Sequence, residues 1–211
     1  MDYQIVIPSK DGNLPSQILN SFKYMYDESR FRDAVIVDTV ICHCRLPHRT
    51  LDFKVFERYL CLEFRSYSMP VYTQDDDCVV HTVDTIATHY TPGVVTCNLP
   101  PYRRAEYSDG ISLVGWGAIF DRNLTSVFNL YFKHYPLDDL FLTECDRVFT
   151  GLNKVKLIDV PFTHLPNAES PDRLHKRPDH WERLKEIRSR IYRIKEMEGL
   201  GEKVGLVGES V

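Results

Sequence analysis

The stretch Met69-Pro70-Val71-Tyr72-Thr73-Gln74-Asp75-Asp76-Asp77 decides how this chain is read. Val71-Tyr72-Thr73 is a β-branched and aromatic run, the composition of a strand, and it leads straight into three consecutive carboxylates. Like charges side by side repel, so three aspartates at a strand end imply a cation or polar partners there. Successive side chains on an extended backbone alternate sides, which puts Asp75 and Asp77 on one face and Asp76 on the other. Two carboxylates on one face make an all-oxygen donor pair suited to Mn²⁺ or Mg²⁺. Such ions bridge to substrate phosphates. The plain alternative is a solvated acidic turn.

Outward from this stretch, short β-rich runs alternate with helical ones. That pattern predicts an α/β domain with a central mixed sheet of about six strands flanked by helices. Ile5-Val6-Ile7 reads as a buried strand stopped at Pro8, and Leu14 to Tyr26 as a helix with Ile18, Phe22 and Met25 on one stripe. Ala34-Val35-Ile36-Val37, Tyr59-Leu60-Cys61-Leu62, Val94-Val95-Thr96 and Val155-Lys156-Leu157-Ile158 are further strand candidates. Pro161 to His180 carries Pro161, Pro166, Pro171 and Pro178 and reads as a long functional loop. Trp181, Leu184, Ile187, Ile191 and Ile194 then recur at helical spacing. The opposite face, with Arg183, Lys185, Arg188, Arg190, Arg193 and Lys195, reads as solvated charge. The domain is expected over residues 1–198, with 199–211 a Gly-rich tail or a linker to further domains.

Composition narrows the function classes. The 211 residues are 43% hydrophobic, enough to bury a core, and the net charge of −4 argues against a nucleic-acid-binding domain. No run approaches the roughly 20 apolar residues that span a bilayer, and the start has no export signal. The expected location is therefore cytoplasmic and the six cysteines are expected as thiols. Cys42-His43-Cys44 lacks the second ligand pair that a zinc site needs.

On these residues the chain resembles the GT-A-fold glycosyltransferases that carry a DxD motif. Strand-then-Asp75-x-Asp77 looks like that motif, and Ile5-Val6-Ile7-Pro8-Ser9 before a helix looks like the family's first nucleotide-binding turn. Gly115-Trp116-Gly117-Ala118-Ile119-Phe120 is similar to its acceptor-side turn, and Glu144-Cys145-Asp146 to its acidic acceptor-side motif. His175 through His180-Trp181 resembles the late segment that folds over the diphosphate. The resemblance implies transfer of a hexose from a UDP-sugar to a glycan or glycoprotein hydroxyl, with Mn²⁺ or Mg²⁺ as cofactor. It also implies Pro8 and Ser9 beside the nucleotide, and Trp116, Gly117 and Glu144 on the sugar and acceptor side.

The chemistry assigns expected roles. Asp77 is the first candidate for direct metal ligand, Asp75 for ligand or ribose contact, and Asp76 for the sugar hydroxyls. His175 is preferred over His164 as a third ligand, because Lys176 and Arg177 beside it can meet phosphate oxygens. Asp11 and Asp38 are candidates for the uracil edge, since a carboxylate accepts its N3–H and disfavours cytosine. Asp38 can equally close a turn. Trp116 between two glycines suits sugar stacking or a tight bend in the core. Asp146 suits an acceptor-activating base, or a helix cap paired with Thr143. With Cys145 in place of a second acid, the expected stereochemical outcome is retention. A sugar nucleotidyltransferase and a calcium-dependent glycan-binding module are the alternatives.

Overall fold

The computed structural model describes residues 3–9, 16–17, 40–43, 54–63, 69–81, 83–107, 109–165, 177–201 and 205–206. Its strands are β1 (Gln4–Ser9), β2 (Val40–His43), β3 (Val71–Thr73), β4 (Cys78–Val80), β5 (Val95–Asn98), β6 (Ala118–Phe120), β7 (Lys154–Ile158), β8 (Phe162–His164) and β9 (Gly205–Leu206). The helices are α1 (Glu57–Glu63), α2 (Val83–Thr88), α3 (Val127–Phe132), α4 (Asp139–Gly151) and α5 (His180–Met197). Among the described residues seven strands form one mixed sheet in the order β2-β1-β3-β6-β5-β7-β9, with β2 and β9 as short edges. Every neighbouring pair is parallel except those of β6, which runs against β3 and β5. A separate antiparallel pair joins β4 to β8. The α/β expectation holds.

Strand alternation decides which core each residue enters. In β1, Val6 faces one core while Ile5 and Ile7 face the other, and in β3 Val71 and Tyr72 part in the same way. The larger core lies under α1, α3, α4 and α5 and is rich in rings. Phe56 meets Phe141 edge-on at 4.8 Å, and Phe149 packs against Tyr59 at 4.9 Å and Phe120 at 4.7 Å. Rings of this size each contribute roughly 2–3 kcal/mol of burial. The smaller core takes Cys78 and Val80 from β4, and Val83 and Ile86 from α2.

Several elements differ from the sequence reading. β1 runs through Pro8 to Ser9, because Pro8 lies past the end of the β1–β3 pairing and keeps a partner, Cys42, only on the β2 side. Tyr59-Leu60-Cys61-Leu62 is helical, within α1. Phe56, Tyr59 and Leu62 are buried at three-residue steps, and a short apolar run cannot by itself separate that spacing from a strand. The proline-rich segment is not all loop, since β8 lies inside it. Helix α5 buries Leu184, Ile187, Ile191 and Ile194 as expected, but Trp181 at its start is 69% exposed. Its basic face is tied down in part, with Arg190 on Asp138 and Arg188 on Asp109. Of the predicted helix Leu14–Tyr26, Ser16 and Gln17 are helical and the rest lies outside the described residues, as does Ala34–Val37. Two residues of the Gly-rich tail form β9, paired with Lys154 and Val155. Cys78, Cys97 and Cys145 are buried free thiols, and no helix among the described residues is long and apolar enough to cross a membrane.

Candidate functional site: an acidic turn at the sheet edge

The carboxyl ends of β1, β3, β5 and β7 and the entry to β6 meet at one edge of the sheet. The chain passes from β1 outward to β2, then returns to place β3 on the other side of β1. Such a reversal of strand order opens a crevice beyond the carboxyl ends, the usual ligand position in open α/β sheets. The three aspartates lie there. They do not follow the extended alternation read from the sequence. Asp76 and Asp77 sit in a turn between β3 and β4, with Cys78 N–H donating to the Asp75 carbonyl at 3.3 Å. The chain reverses at this point, so the period of two stops at Asp75.

Neighbours fix this turn closely. Buried Gln74 accepts from the Tyr72 hydroxyl at 2.7 Å and donates to the Cys78 carbonyl. Asp75 N–H donates to the Gly115 carbonyl and Leu165 N–H to the Asp77 carbonyl, at 2.8 and 2.9 Å. A Cβ on Gly115 would stand 2.1 Å from Asp75 Oδ2, so only glycine leaves room for this carboxylate. Buried Asn98, at the end of β5, holds the surrounding loops. Its amide donates to the Trp116 and Val160 carbonyls, both at 2.9 Å, and its oxygen accepts from Val160 N–H at 2.7 Å.

A buried charge contact joins the turn to helix α4. The Arg58 side chain is fully buried, donating from Nη2 to Asp75 Oδ1 and from Nη1 to Asp146 Oδ2, the latter at 2.7 Å. The Tyr59 hydroxyl donates to the other Asp146 oxygen at 2.7 Å. Burial works against the Arg58 cation, but Asp146 and Asp75 outweigh it and hold its pKa well above the ordinary value. Burial raises the Asp146 pKa, Arg58 opposes this, and Asp75 adds to the rise. Asp146 is not a capping residue. Helix α4 begins four residues before Thr143, with Asp138 accepting from Phe141 N–H at 2.8 Å, and the Thr143 hydroxyl bonds back to Asp139 and Leu140. The backbone leaves helical geometry at Glu144 (φ −120°, ψ 17°), which kinks α4 just before Asp146. Glu144 is buried against Arg147 at 2.9 Å, and burial raises its pKa although Arg147 opposes the rise.

On the other side of the turn, Trp116 stacks on Phe162 with centroids 5.2 Å apart, which closes that ring face to a sugar. The Arg103 guanidinium lies 5.1 Å from the Trp116 centroid. His164 approaches Trp116 edge-on at 5.9 Å. The β4–β8 pairing sets His164 opposite Cys78, next to the acidic turn. Burial lowers the His164 pKa, with Asp75 working against the shift. Gly117 has φ 104°, which favours glycine, and a Cβ there would meet Ile86 at 2.7 Å.

Of the predicted site residues, the structure gathers Asp75, Asp76, Asp77, Trp116, Gly117, His164 and Asp146 around one edge. Pro8 is buried in β1, and Ser9 pairs with His43 at the same end of the sheet. Asp11, Asp38, His175 and Lys176 lie outside the described residues. Among the described residues no group of three His, Cys, Asp or Glu side chains stands ready for a metal. A cavity of about 710 Å³ lined by Phe56, Leu60, Phe128 and Phe132 contains none of the three aspartates, so it does not mark this site. Sequence reasoning missed Arg58, Tyr59, Asn98 and Phe162. Arg58 had one legible sign, since it stands four residues before Leu62 and so shares a buried helix face with it. Comparison with protein-family models, curated proteins and solved structures gives no match to this chain.

Proposed function

We propose that this chain is a metal-dependent glycosyltransferase of the GT-A type, moving a hexose from a UDP-sugar to a glycan or glycoprotein hydroxyl. One observation carries this reading: the Asp75–Asp77 turn stands at the strand-order reversal, tied through buried Arg58 to Asp146 on a kinked helix. The crevice beyond β1 and β3 suits a nucleotide, with the end of β1 at Pro8 and Ser9 on one side and the acidic turn on the other.

The donors at the turn are carboxylate oxygens, the type that Mn²⁺ and Mg²⁺ take. Asp77 and Asp75 would hold the ion, with His175, outside the described residues, proposed as the third ligand. When bound, the cation supplies Lewis-acid stabilisation of the charge that grows on the leaving diphosphate. The bond from the anomeric carbon to the diphosphate breaks with its electron pair on the UDP oxygen. A bond forms from the acceptor oxygen to that carbon, and the acceptor proton passes to the departing phosphate oxygen. Each Asp146 oxygen already accepts a hydrogen bond, from Tyr59 or Arg58. That engagement favours a positioning role over that of a base and supports retention of configuration. Asp11 and Asp38 remain the residues proposed to select uracil, and a cytoplasmic site of action goes with this reading.

Calorimetric titration of UDP, GDP and CMP with and without Mn²⁺ tests the proposal. UDP binding that requires Mn²⁺ is expected of the parent. Asp77→Asn, nearly isosteric but uncharged, should keep the fold and lose that binding. A parent that binds no nucleotide with Mn²⁺ present would overturn the reading. Product of inverted anomeric configuration by proton NMR would overturn retention and promote Asp146 to general base.

A further inference from the structure

Arg58 belongs to no motif in the sequence, yet it is the fully buried cation on which two parts of the site converge. Burying a guanidinium is costly unless charged partners surround it, and replacing a whole buried ion pair with apolar side chains of similar size often serves stability as well or better. The two carboxylates it holds come from different elements, Asp75 from the turn after β3 and Asp146 from α4. A guanidinium is planar and rigid, so carboxylates on its two terminal nitrogens are held at a set separation, which the flexible point charge of a lysine cannot do. Both partners are pinned on their far sides as well. Gly115 packs directly on Asp75 Oδ2, and the Tyr59 hydroxyl takes Asp146 Oδ1.

We infer that Arg58 is a positioning residue, a buried brace that sets the acidic turn against Asp146 so that occupation of the turn and the state of Asp146 are coupled. What occupies the turn rests on the transferase reading; the coupling itself does not. Asp146 should therefore influence nucleotide binding from the far side of the guanidinium.

The parent, Arg58→Lys, Asp146→Asn and the double variant are compared by UDP titration with Mn²⁺, each checked by circular dichroism and urea unfolding. Arg58→Lys should weaken UDP binding roughly tenfold, the scale of lost supporting contacts in metal sites. Asp146→Asn should weaken it roughly threefold or more, and the double variant should lose no more than Arg58→Lys alone, because the effect of Asp146 passes through Arg58. A purely structural role would leave the affinity of the folded variants unchanged. Unchanged affinity in folded Arg58→Lys, or losses that simply add, would overturn the brace. If Arg58→Lys does not fold, Asp146→Asn carries the test alone, and unchanged UDP affinity there is the overturning result. If the parent binds no nucleotide, the transferase reading falls instead. The brace is then judged by urea unfolding of Asp75→Asn, Asp146→Asn and their double variant, where non-additive losses at positions 75 and 146, which meet only through Arg58, support it and additive losses overturn it.

Discussion

Helix α4 is held by arginine–aspartate pairs in two places, and equal distances conceal unequal roles. Arg58 meets Asp146 at 2.7 Å with side chains 0% and 15% exposed, while Arg190 meets Asp138 at the same 2.7 Å with 15% and 31% exposed. Arg183 joins Asp139 nearby at 3.0 Å, but Asp139 is 56% exposed. At the outer end of the helix, water re-solvates whatever a mutation leaves behind, and such pairs are worth about 0–1 kcal/mol. At the inner pair little water reaches the charges, and losing one partner strands a charge, which costs about 3–5 kcal/mol. Distance alone therefore says little about a charge pair. Burial decides its weight, and the buried pair is the one beside the acidic turn.

The largest expected effect comes from Arg58→Met, which leaves Asp146 buried without its counter-ion. Urea unfolding should show a loss of about 3 kcal/mol, towards the lower end for a broken buried pair because half-exposed Asp75 can turn to water. A loss below about 1 kcal/mol would place this pair with the outer ones and erase the contrast.

Gly115→Ala sharpens the contrast from the other side of the same carboxylate. The new Cβ would stand 2.1 Å from Asp75 Oδ2, pushing the carboxylate from its place against Arg58. A destabilisation of about 1–2 kcal/mol is expected from the overpacking. UDP–Mn²⁺ binding should weaken with it, and full-strength binding would mean that the placement of Asp75 does not matter. The smallest effect is expected of Arg183→Ala. Arg183 bonds the half-exposed Asp139 and the Thr143 hydroxyl, which keeps its own bonds to the helix backbone, so urea unfolding should change by about 1 kcal/mol or less and nucleotide binding not at all.

Much of the fold was legible before any coordinates. β-branched composition located β3, β5 and β7, and the three- and four-residue steps of Leu184, Ile187, Ile191 and Ile194 located α5. The reading failed where a local pattern was ambiguous or overruled. Tyr59–Leu62 is too short for its period to separate helix from strand, and β8 forms inside a proline-rich segment because β4 offers it an antiparallel partner. Of the two candidate histidines, β8 sets His164 beside the turn, and His175 lies outside the described residues. Thr143 looked like a helix cap because the kink at Glu144 has no signature in residue type, and Asp138 caps the helix instead.

The sequence by itself determined the α/β class, the amphipathic last helix and the run of three carboxylates at a strand end. These depend on composition and period, which neighbouring residues carry among themselves. Only the tertiary structure decided that Arg58 meets Asp75, 17 positions away, and Asp146, 88 positions away, and that Gly115 makes room for one of those carboxylates. Buried charges find partners wherever the packed chain brings them, and no local spacing records which carboxylate will stand on the far side of the core.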